Sequence, residues 1–258
     1  MIDRFQSKVA LVTGGNSGIG RATALAFSRE GAKVVLAARR IPESEETVTM
    51  IRKQGGEAHF VPTDVSKAAE AKAMVAACIT EYGRLDYAVN NAGIIGTPEI
   101  QAAEYEEAVW DEVVDINLKG VWLCMKYEIS EMLKYGKGAI VNMSSVAGLK
   151  GGPARLGVAY YASKHGVIGL TKATANEYAA QGLRINVVCP GVIETPMVEP
   201  MLSQHKNNTA QITALQPMGR IGRPEEVATA TLWLCSEGAS FITGHAHVVD
   251  GGMLIRSA

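Results

Sequence analysis

A doubly wound α/β fold in a single domain is what this sequence predicts, and three observations predict it. Short runs rich in Val, Ile, Leu and Ala recur at residues 9–13, 34–38, 58–62, 85–90, 139–144, 184–189 and 247–249. Helix-compatible segments fill the intervals between them, and a glycine-rich turn follows the first run directly. Nearly continuous apolar strands are those buried on both faces, and strands alternating with helices give right-handed crossovers and a parallel sheet covered by helices.

The elements follow in chain order. Residues 8–13 form the first strand, the glycines from Gly14 to Gly20 turn the chain, and 21–29 read as a helix. The second strand ends at Ala38-Arg39-Arg40, after which Ser44 before Glu45-Glu46 predicts a helix start and Gly55-Gly56 its stop. Ser66 opens a further helical run that closes at Gly83. Long helical stretches cover 104–133 and 160–181, each leading into the next strand. No linker long enough to split the chain is visible, and no internal repeat.

The 258 residues carry a net charge of −1 and are 47% hydrophobic and 20% charged. This balance, with no long basic run, argues against nucleic acid or anionic membrane as a main partner. The apolar stretches are strand-sized, so neither a signal peptide nor a membrane span is expected. Cys78, Cys124, Cys189 and Cys235 are widely spaced, as buried thiols in a reducing compartment would be, and a cytoplasmic location is expected.

Immediately after the first strand comes Thr13-Gly14-Gly15-Asn16-Ser17-Gly18-Ile19-Gly20. Gly14, Gly18 and Gly20 permit a tight turn, close approach of backbone to a pyrophosphate and close packing of helix on strand; the helix N-terminus offers unpaired N–H groups to the anion. A dinucleotide site is expected. In an NAD-selective site an acidic residue near the end of the second strand receives the adenosine ribose, whereas a 2′-phosphate needs a cation there. Ala38 stands at the acidic position and Arg39 follows, so NADP(H) is favoured over NAD(H). A charge-assisted bond from Arg39 to a phosphate contributes about 1.5–3 kcal/mol. The alternatives are a solvated strand end at Arg39 and Arg40, or Arg39 stacked on adenine in an NAD-tolerant site.

Tyr160 and Lys164 lie four residues apart at the start of a helical run and therefore share a face. A free phenol has a pKa near ~10, and a neighbouring cation favours the phenolate, so the pair is expected to lower the pKa of Tyr160 and exchange a proton with an alcohol oxygen. Tyr161 points about 100° away on the helix and is read as packing.

Four blocks now stand in order: Thr13 to Gly20, Asn90-Asn91-Ala92-Gly93, Asn142-Met143-Ser144-Ser145 and Tyr160 to Lys164. With Asp64-Val65, Asn117, Pro190-Gly191, Ile242-Thr243-Gly244 and Val249-Asp250-Gly251-Gly252, the chain resembles the short-chain dehydrogenase/reductase family in its single-domain form. The resemblance implies a seven-stranded sheet in Rossmann order with the cofactor across the carboxyl ends of the strands. It implies a tetrad of Asn117, Ser145, Tyr160 and Lys164. Tyr160 exchanges the proton, Ser145 bonds the reacting oxygen, Lys164 holds the nicotinamide ribose and lowers the tyrosine pKa, and Asn117 positions a water that links Lys164 to solvent.

Cofactor contacts implied or read from the motifs fall on Gly14, Asn16, Ser17, Gly18, Ile19, Gly20, Arg39, Arg40, Asp64, Val65, Asn91, Ala92, Gly93, Tyr160, Lys164, Pro190, Gly191, Val192 and Thr195. Asn90 ties neighbouring strands. The interval from Ser145 to Tyr160 is longer than in most members, which implies a small insertion at about 151–158 beside the substrate. Residues 192–217 read as a mobile substrate lid with a polar tip at 204–208. Its apolar character favours a small-molecule ketone or secondary alcohol, cyclic or steroid-like, over a polyanion, and a sugar also fits.

His245 and His247 alternate on a strand, and packing or interface roles are favoured over metal ligation. A homotetramer with two-fold axes is expected by resemblance. The leading reading is an NADP(H)-dependent oxidoreductase; a cofactor-binding regulator without turnover is the alternative from another class.

Overall fold

Parallel pairing begins at β1 (Val9–Thr13), whose residues alternate between two cores: Val9 and Leu11 enter one, Ala10 and Val12 the other. That two-residue period is the pleat itself, and both sides of it are apolar because both faces are covered. The computed structural model describes residues 4–152, 156–203 and 212–255. Within them β2 (Lys33–Ala38), β3 (Ala58–Pro62), β4 (Tyr87–Asn90), β5 (Gly138–Met143), β6 (Leu183–Pro190) and β7 (Ala246–Val249) complete a seven-stranded sheet of order β3-β2-β1-β4-β5-β6-β7. Every pairing in that sheet is parallel.

On one face α3 (Ala68–Tyr82), α5 (Gly120–Met132) and α6 (Val158–Tyr178) bury Met74, Cys78, Met125, Met132, Val167 and their neighbours. On the other, α1 (Gly18–Arg29), α2 (Ile41–Lys53) and α8 (Pro224–Cys235) bury Phe27, Ile51, Val227 and Leu232, with α1 lying along α8. The chain reverses its direction of growth between β1 and β4, and a crevice opens at the carboxyl ends of the strands there. Two further helices, α4 (Glu107–Val114) and the short α7 (Glu199–Ser203), border that crevice.

The start of α2 differs in kind from the sequence reading. α2 begins at Ile41 with Pro42 in its first turn, where a missing N–H costs nothing, and Ser44 lies inside it, its Oγ donating to the Arg40 carbonyl at 2.6 Å. The serine is a back-bonded helix residue and not a cap. Ser66 serves an Asx-type turn on Asp64 and α3 starts two residues later, while Gly83 ends that helix in the left-handed conformation as expected. Among the described residues, no helix is long and apolar enough to cross a membrane.

At the opposite end of the sheet from the crevice, Asp86 gathers three residues. Its carboxylate accepts from the Val9 amide at 3.0 Å and from Arg84 at 2.7 and 2.6 Å, and Lys8 lies 3.3 Å away. It pins the start of β1 to the start of β4, the pair that frames the crevice. Asp86→Ala leaves the Val9 amide unpaired and is expected to cost about 2 kcal/mol, a fall of roughly 4–8 °C in melting temperature for a chain of this size; calorimetry of both proteins checks it, and an unchanged melting temperature refutes it.

Candidate active site

The turn after β1 is built for close approach. Gly14 has φ of +64° and Gly18 +50°, and a Cβ added at Gly20 would lie 2.1 Å from the Gly14 carbonyl oxygen. Helix α1 therefore packs tightly against the strand end. Its first turn carries no acidic side chain, and Ser17 at the N-cap makes no side-chain cap bond, so its positive end faces the crevice uncapped. Asn91 locks the loop from below, its Nδ2 donating to the Thr13 and Gly14 carbonyls at 3.1 and 3.3 Å.

A cavity of about 870 Å³ runs along the strand ends. At one end it is lined by Gly14, Asn16, Ser17, Gly18, Ile19, Arg39, Arg40, Asp64 and Val65, in the middle by Asn91, Ala92 and Gly93, and beyond them by Ser145, Tyr160, Lys164, Pro190, Gly191 and Thr195. Three of the expected site residues stand behind this lining. Gly20 supports the turn, the Val192 carbonyl accepts from the Gly222 amide at 3.0 Å, and Asn117 is fully buried.

Of the two arginines, Arg40 is the one bound to the loop. Its Nη2 donates to Ser17 Oγ at 3.0 Å and its Nη1 to Glu43 Oε1 at 3.0 Å; with the Asn16 carboxamide oxygen turned toward it, it also donates there at 2.7 and 2.9 Å. Arg39 faces Asp64. Burial raises the Asp64 pKa, but bonds from Ser66 and the charge of Arg39 outweigh it and leave the carboxyl below its ordinary value.

At the reacting end, Lys164 is held at both extremities by the end of β5. Its Nζ donates to the Met143 carbonyl at 2.9 Å, and its own carbonyl accepts from Ser144 Oγ at 2.8 Å. Ser144 is thereby committed, and Ser145 is the serine whose hydroxyl bonds the Tyr160 phenol. Lys164 Nζ lies 5.5 Å from the centroid of the Tyr160 ring. Burial pulls the lysine down to about 8.

The tyrosine corrects an expectation. Burial pushes the Tyr160 phenol above its ordinary value, with the Ser145 bond opposing, so the pKa is raised and not lowered. The ammonium donates to the Met143 carbonyl, and burial is the dominant influence on the phenol.

Asn117 sits in a π-helical turn, Asp115–Lys119, between α4 and α5. Such turns insert an extra residue and re-aim a side chain. Its Oδ1 accepts from the Ile94 amide and its Nδ2 donates to the Ile94 carbonyl, both at 2.8 Å, with Ser163 Oγ at 3.3 Å. A Cβ at Gly93 would stand 3.1 Å from Asn117 Oδ1 and 3.5 Å from Lys164 Nζ, so the two side chains approach Gly93 together.

Sequence reasoning missed the opposite wall. Ile94, Ile95, Gly96, Val109, Glu112 and Ile116 line it, the last three at helical spacing on one face of α4 and the turn that follows. Their signal was that spacing. From the segment after β6 come Pro196, Met197, Val198, Pro200 and Met201. The polar tip at 204–208, like residues 153–155 of the longer loop, lies outside the described residues. His245 and His247 stand 5.8 Å apart between ring centroids, away from the cavity lining, and His247 packs on Trp233.

Comparison with known proteins places this arrangement. A family profile described as Enoyl-(Acyl carrier protein) reductase matches residues 14–254. Cyclohexanol dehydrogenase of Acinetobacter sp. (strain SE19) is 42% identical over 97% of this chain and 96% of its own. The chain belongs to the short-chain dehydrogenase/reductase family. The crystal structure of levodione reductase matches with a TM-score of 0.94 at 36% identity, covering 98% of this chain and 100% of that one. A putative 2-deoxy-d-gluconate 3-dehydrogenase from Agrobacterium tumefaciens, solved with bound NADP, matches with a TM-score of 0.89 at 38% identity over 99% of both chains. As a family member the chain is an oxidoreductase of the CH–OH and C=O class that uses a nicotinamide dinucleotide.

The depressed pKa of Lys164 makes stability depend on pH. The unfolded chain binds this proton up to about pH 10.5 and the folded chain releases it from about 8, so this lysine's contribution makes stability rise with pH across that window. Holding Lys164 charged and buried costs on the order of 3 kcal/mol at neutral pH. Lys164→Met is expected to recover part of that at pH 7, less what the unpartnered Met143 carbonyl costs, and to lose the advantage as pH climbs above 8. Urea midpoints of both proteins from pH 7 to 10 check it; a difference that stays flat with pH refutes it.

Proposed function

We propose that this protein transfers hydride between NADP(H) and a small-molecule ketone or secondary alcohol, with Tyr160 as general acid and base. The observation that carries the reading is the meeting of Ser145, Tyr160 and Lys164 on one cavity with the uncapped turn of α1 and its two arginines. When bound, the nicotinamide supplies or accepts the hydride. Gly14, Asn16, Ser17, Gly18 and Ile19 would hold the pyrophosphate on backbone N–H groups, with Gly20 packing the turn. Asp64 and Val65 would meet the adenine, and residues 91–93 together with Pro190, Gly191 and Thr195 the nicotinamide half.

Each residue of the tetrad then has its task. The Tyr160 phenol gives its proton to the carbonyl oxygen in reduction and takes it back from the alcohol in oxidation. Ser145 donates to the same oxygen and stabilises the charge that grows on it. Lys164, still mostly charged at neutral pH, would bind the ribose hydroxyls and carry the proton onward, while Asn117 holds the Ile94 backbone and would position a water beside Gly93.

Preference for NADP(H) rests on the absence of an acidic side chain at Ala38 and on the two cations beside it. Arg40 is pre-set by Ser17 and Asn16, and Arg39, whose charge acts on Asp64, would meet a 2′-phosphate or stack on adenine. The similar Agrobacterium tumefaciens protein holds NADP, which favours the same choice. Apolar walls at Ile94, Ile95, Val109 and Met197 favour a cyclic or steroid-like substrate, as does the likeness to a cyclohexanol dehydrogenase. Four free, buried cysteines fit a cytoplasmic enzyme, and exposed Phe241, Val248 and Ile255 about the edge strand fit a homotetramer.

Three outcomes test this. Tyr160→Phe is expected to cut kcat by about 10²-fold or more with either cofactor, and activity equal to wild type sinks the acid/base role. Because burial raises the Tyr160 pKa, the phenol is an acid at neutral pH. Carbonyl reduction should therefore weaken and alcohol oxidation strengthen as pH rises, read as kcat/KM profiles in both directions. Arg39→Asp should reduce NADPH affinity by one to two decades, about 1.5–3 kcal/mol, while sparing NADH; equal NADPH titrations in both proteins remove Arg39 from the phosphate site.

A further inference from the structure

Beneath the cavity floor lies a carboxyl group that the reaction above does not use. Glu128 of α5 is fully buried, faces the sheet and has no charged partner among the described residues. One oxygen, Oε2, accepts from Asn90 Nδ2 at 3.0 Å. The other, Oε1, has no hydrogen-bond partner among the described residues, and neither does Asn90 Oδ1, the remaining atom of the same carboxamide. An ionised carboxylate and a carboxamide can make only one of these bonds, since the two leftover atoms are both acceptors. A protonated carboxyl makes both: Oε1–H donates to Oδ1 while Nδ2–H donates to Oε2, closing a two-bond ring with every polar atom satisfied.

The surroundings agree. Cys78 of α3 and Cys124 of α5 are the titratable groups facing Glu128 among the described residues, and burial holds both as neutral thiols. From the sheet and α6 the neighbours are neutral as well: Asn90 Nδ2 also donates to Asn142 Oδ1 at 3.0 Å, and Asn142 Nδ2 donates to Thr171 Oγ1 at 2.9 Å. A charge here would be unpaired, and burying one costs far more than burying a neutral acid whose hydrogen bonds are made. Burial raises the Glu128 pKa to about 8.

We propose that Glu128 is a resident carboxylic acid, paired by two hydrogen bonds with the Asn90 carboxamide, and that this pair positions the floor of the active site. Asn90 is the last residue of β4 and leads directly into the cavity-lining residues 91–93. Its partner Asn142 precedes Met143, whose carbonyl holds Lys164 Nζ. Thr171 belongs to the helix that carries Tyr160 and Lys164. One protonated side chain thus joins α5, β4, β5 and α6 directly under the reacting end. Glu128 acts through these residues and touches neither substrate nor cofactor; the positioning role rests on the tetrad reading, while the protonation stands without it.

Infrared difference spectroscopy between wild type and Glu128→Gln reads the proton directly. At pH 7 the wild type is expected to show the carbonyl band of a protonated carboxylic acid, absent in the variant, and carboxylate bands there overturn the proposal whatever the enzyme does. The carboxamide that Glu128→Gln introduces can form the same ring, amide to amide, without a titrating proton. Titration of NADPH should show wild-type affinity falling about tenfold relative to Glu128→Gln between pH 7 and 9, as the competent protonated fraction drops to about one in ten. Lys164 titrates in both proteins, so the ratio isolates Glu128. Glu128→Leu, which strands the Asn90 carboxamide, should bind NADPH more weakly than Glu128→Gln at both pH values. A ratio that does not move with pH, or a Leu variant equal to the Gln variant, refutes the positioning role; a failed tetrad would show as lost turnover with the infrared band intact.

Discussion

Everything at the reacting end depends on how Lys164 is seated. An ammonium buried this deeply survives because the end of β5 grips it twice, at Nζ through the Met143 carbonyl and at the backbone through Ser144 Oγ. The grip fixes the first turns of α6 against the sheet, and with them Tyr160, one helical turn earlier on the same face. Gly148 shows how tight the seat is, since a Cβ there would stand 2.6 Å from the Lys164 carbonyl oxygen. The price of the seat is a lysine pulled toward neutrality and a phenol pushed away from ionisation. Strain of this kind is what a site accumulates when polar groups must be dry before substrate arrives.

The same logic explains why two consecutive serines have different roles. At a strand end successive side chains point to opposite sides. Ser144 turns inward to the lysine carbonyl, and Ser145, capping a short 3₁₀ turn through the Ala147 amide at 3.1 Å, turns to the phenol. The pleat separates them.

The sequence carried the fold almost entirely, because burial on both faces leaves strands apolar from end to end and glycine has few substitutes where an added Cβ would stand 2.1 Å from a carbonyl oxygen, as at Gly20. Asn117, Ser145, Tyr160 and Lys164 were read from short local motifs, and the structure brings Ser145, Tyr160 and Lys164 to one cavity with Asn117 behind it. What was illegible depends on solvation and on contacts between distant segments. The direction of the Tyr160 pKa follows from burial and from where one ammonium points, which spacing cannot state. The α2 start was misread because Ser44 resembles a cap, while Pro42, second in the first turn, was the better signal. Asn16 and Ser17 read as phosphate contacts, yet they also brace Arg40, a bond between loops that neither segment announces alone.

The two halves of the cavity differ in how they are made, and that difference governs what can vary. The half beside the glycine turn is backbone at strand ends, where a change in one residue displaces its hydrogen-bonded neighbours, as the Asn91 bonds to Thr13 and Gly14 illustrate. The opposite half is side chains from α4 and the segment after β6, elements that contribute Val109, Met197 and their neighbours without supporting the sheet. Substitution there alters shape at little cost to the fold. A family built this way keeps one hydride chemistry and changes its organic partner freely, because the wall at Val109 and Met197 can change shape without disturbing the lysine seat.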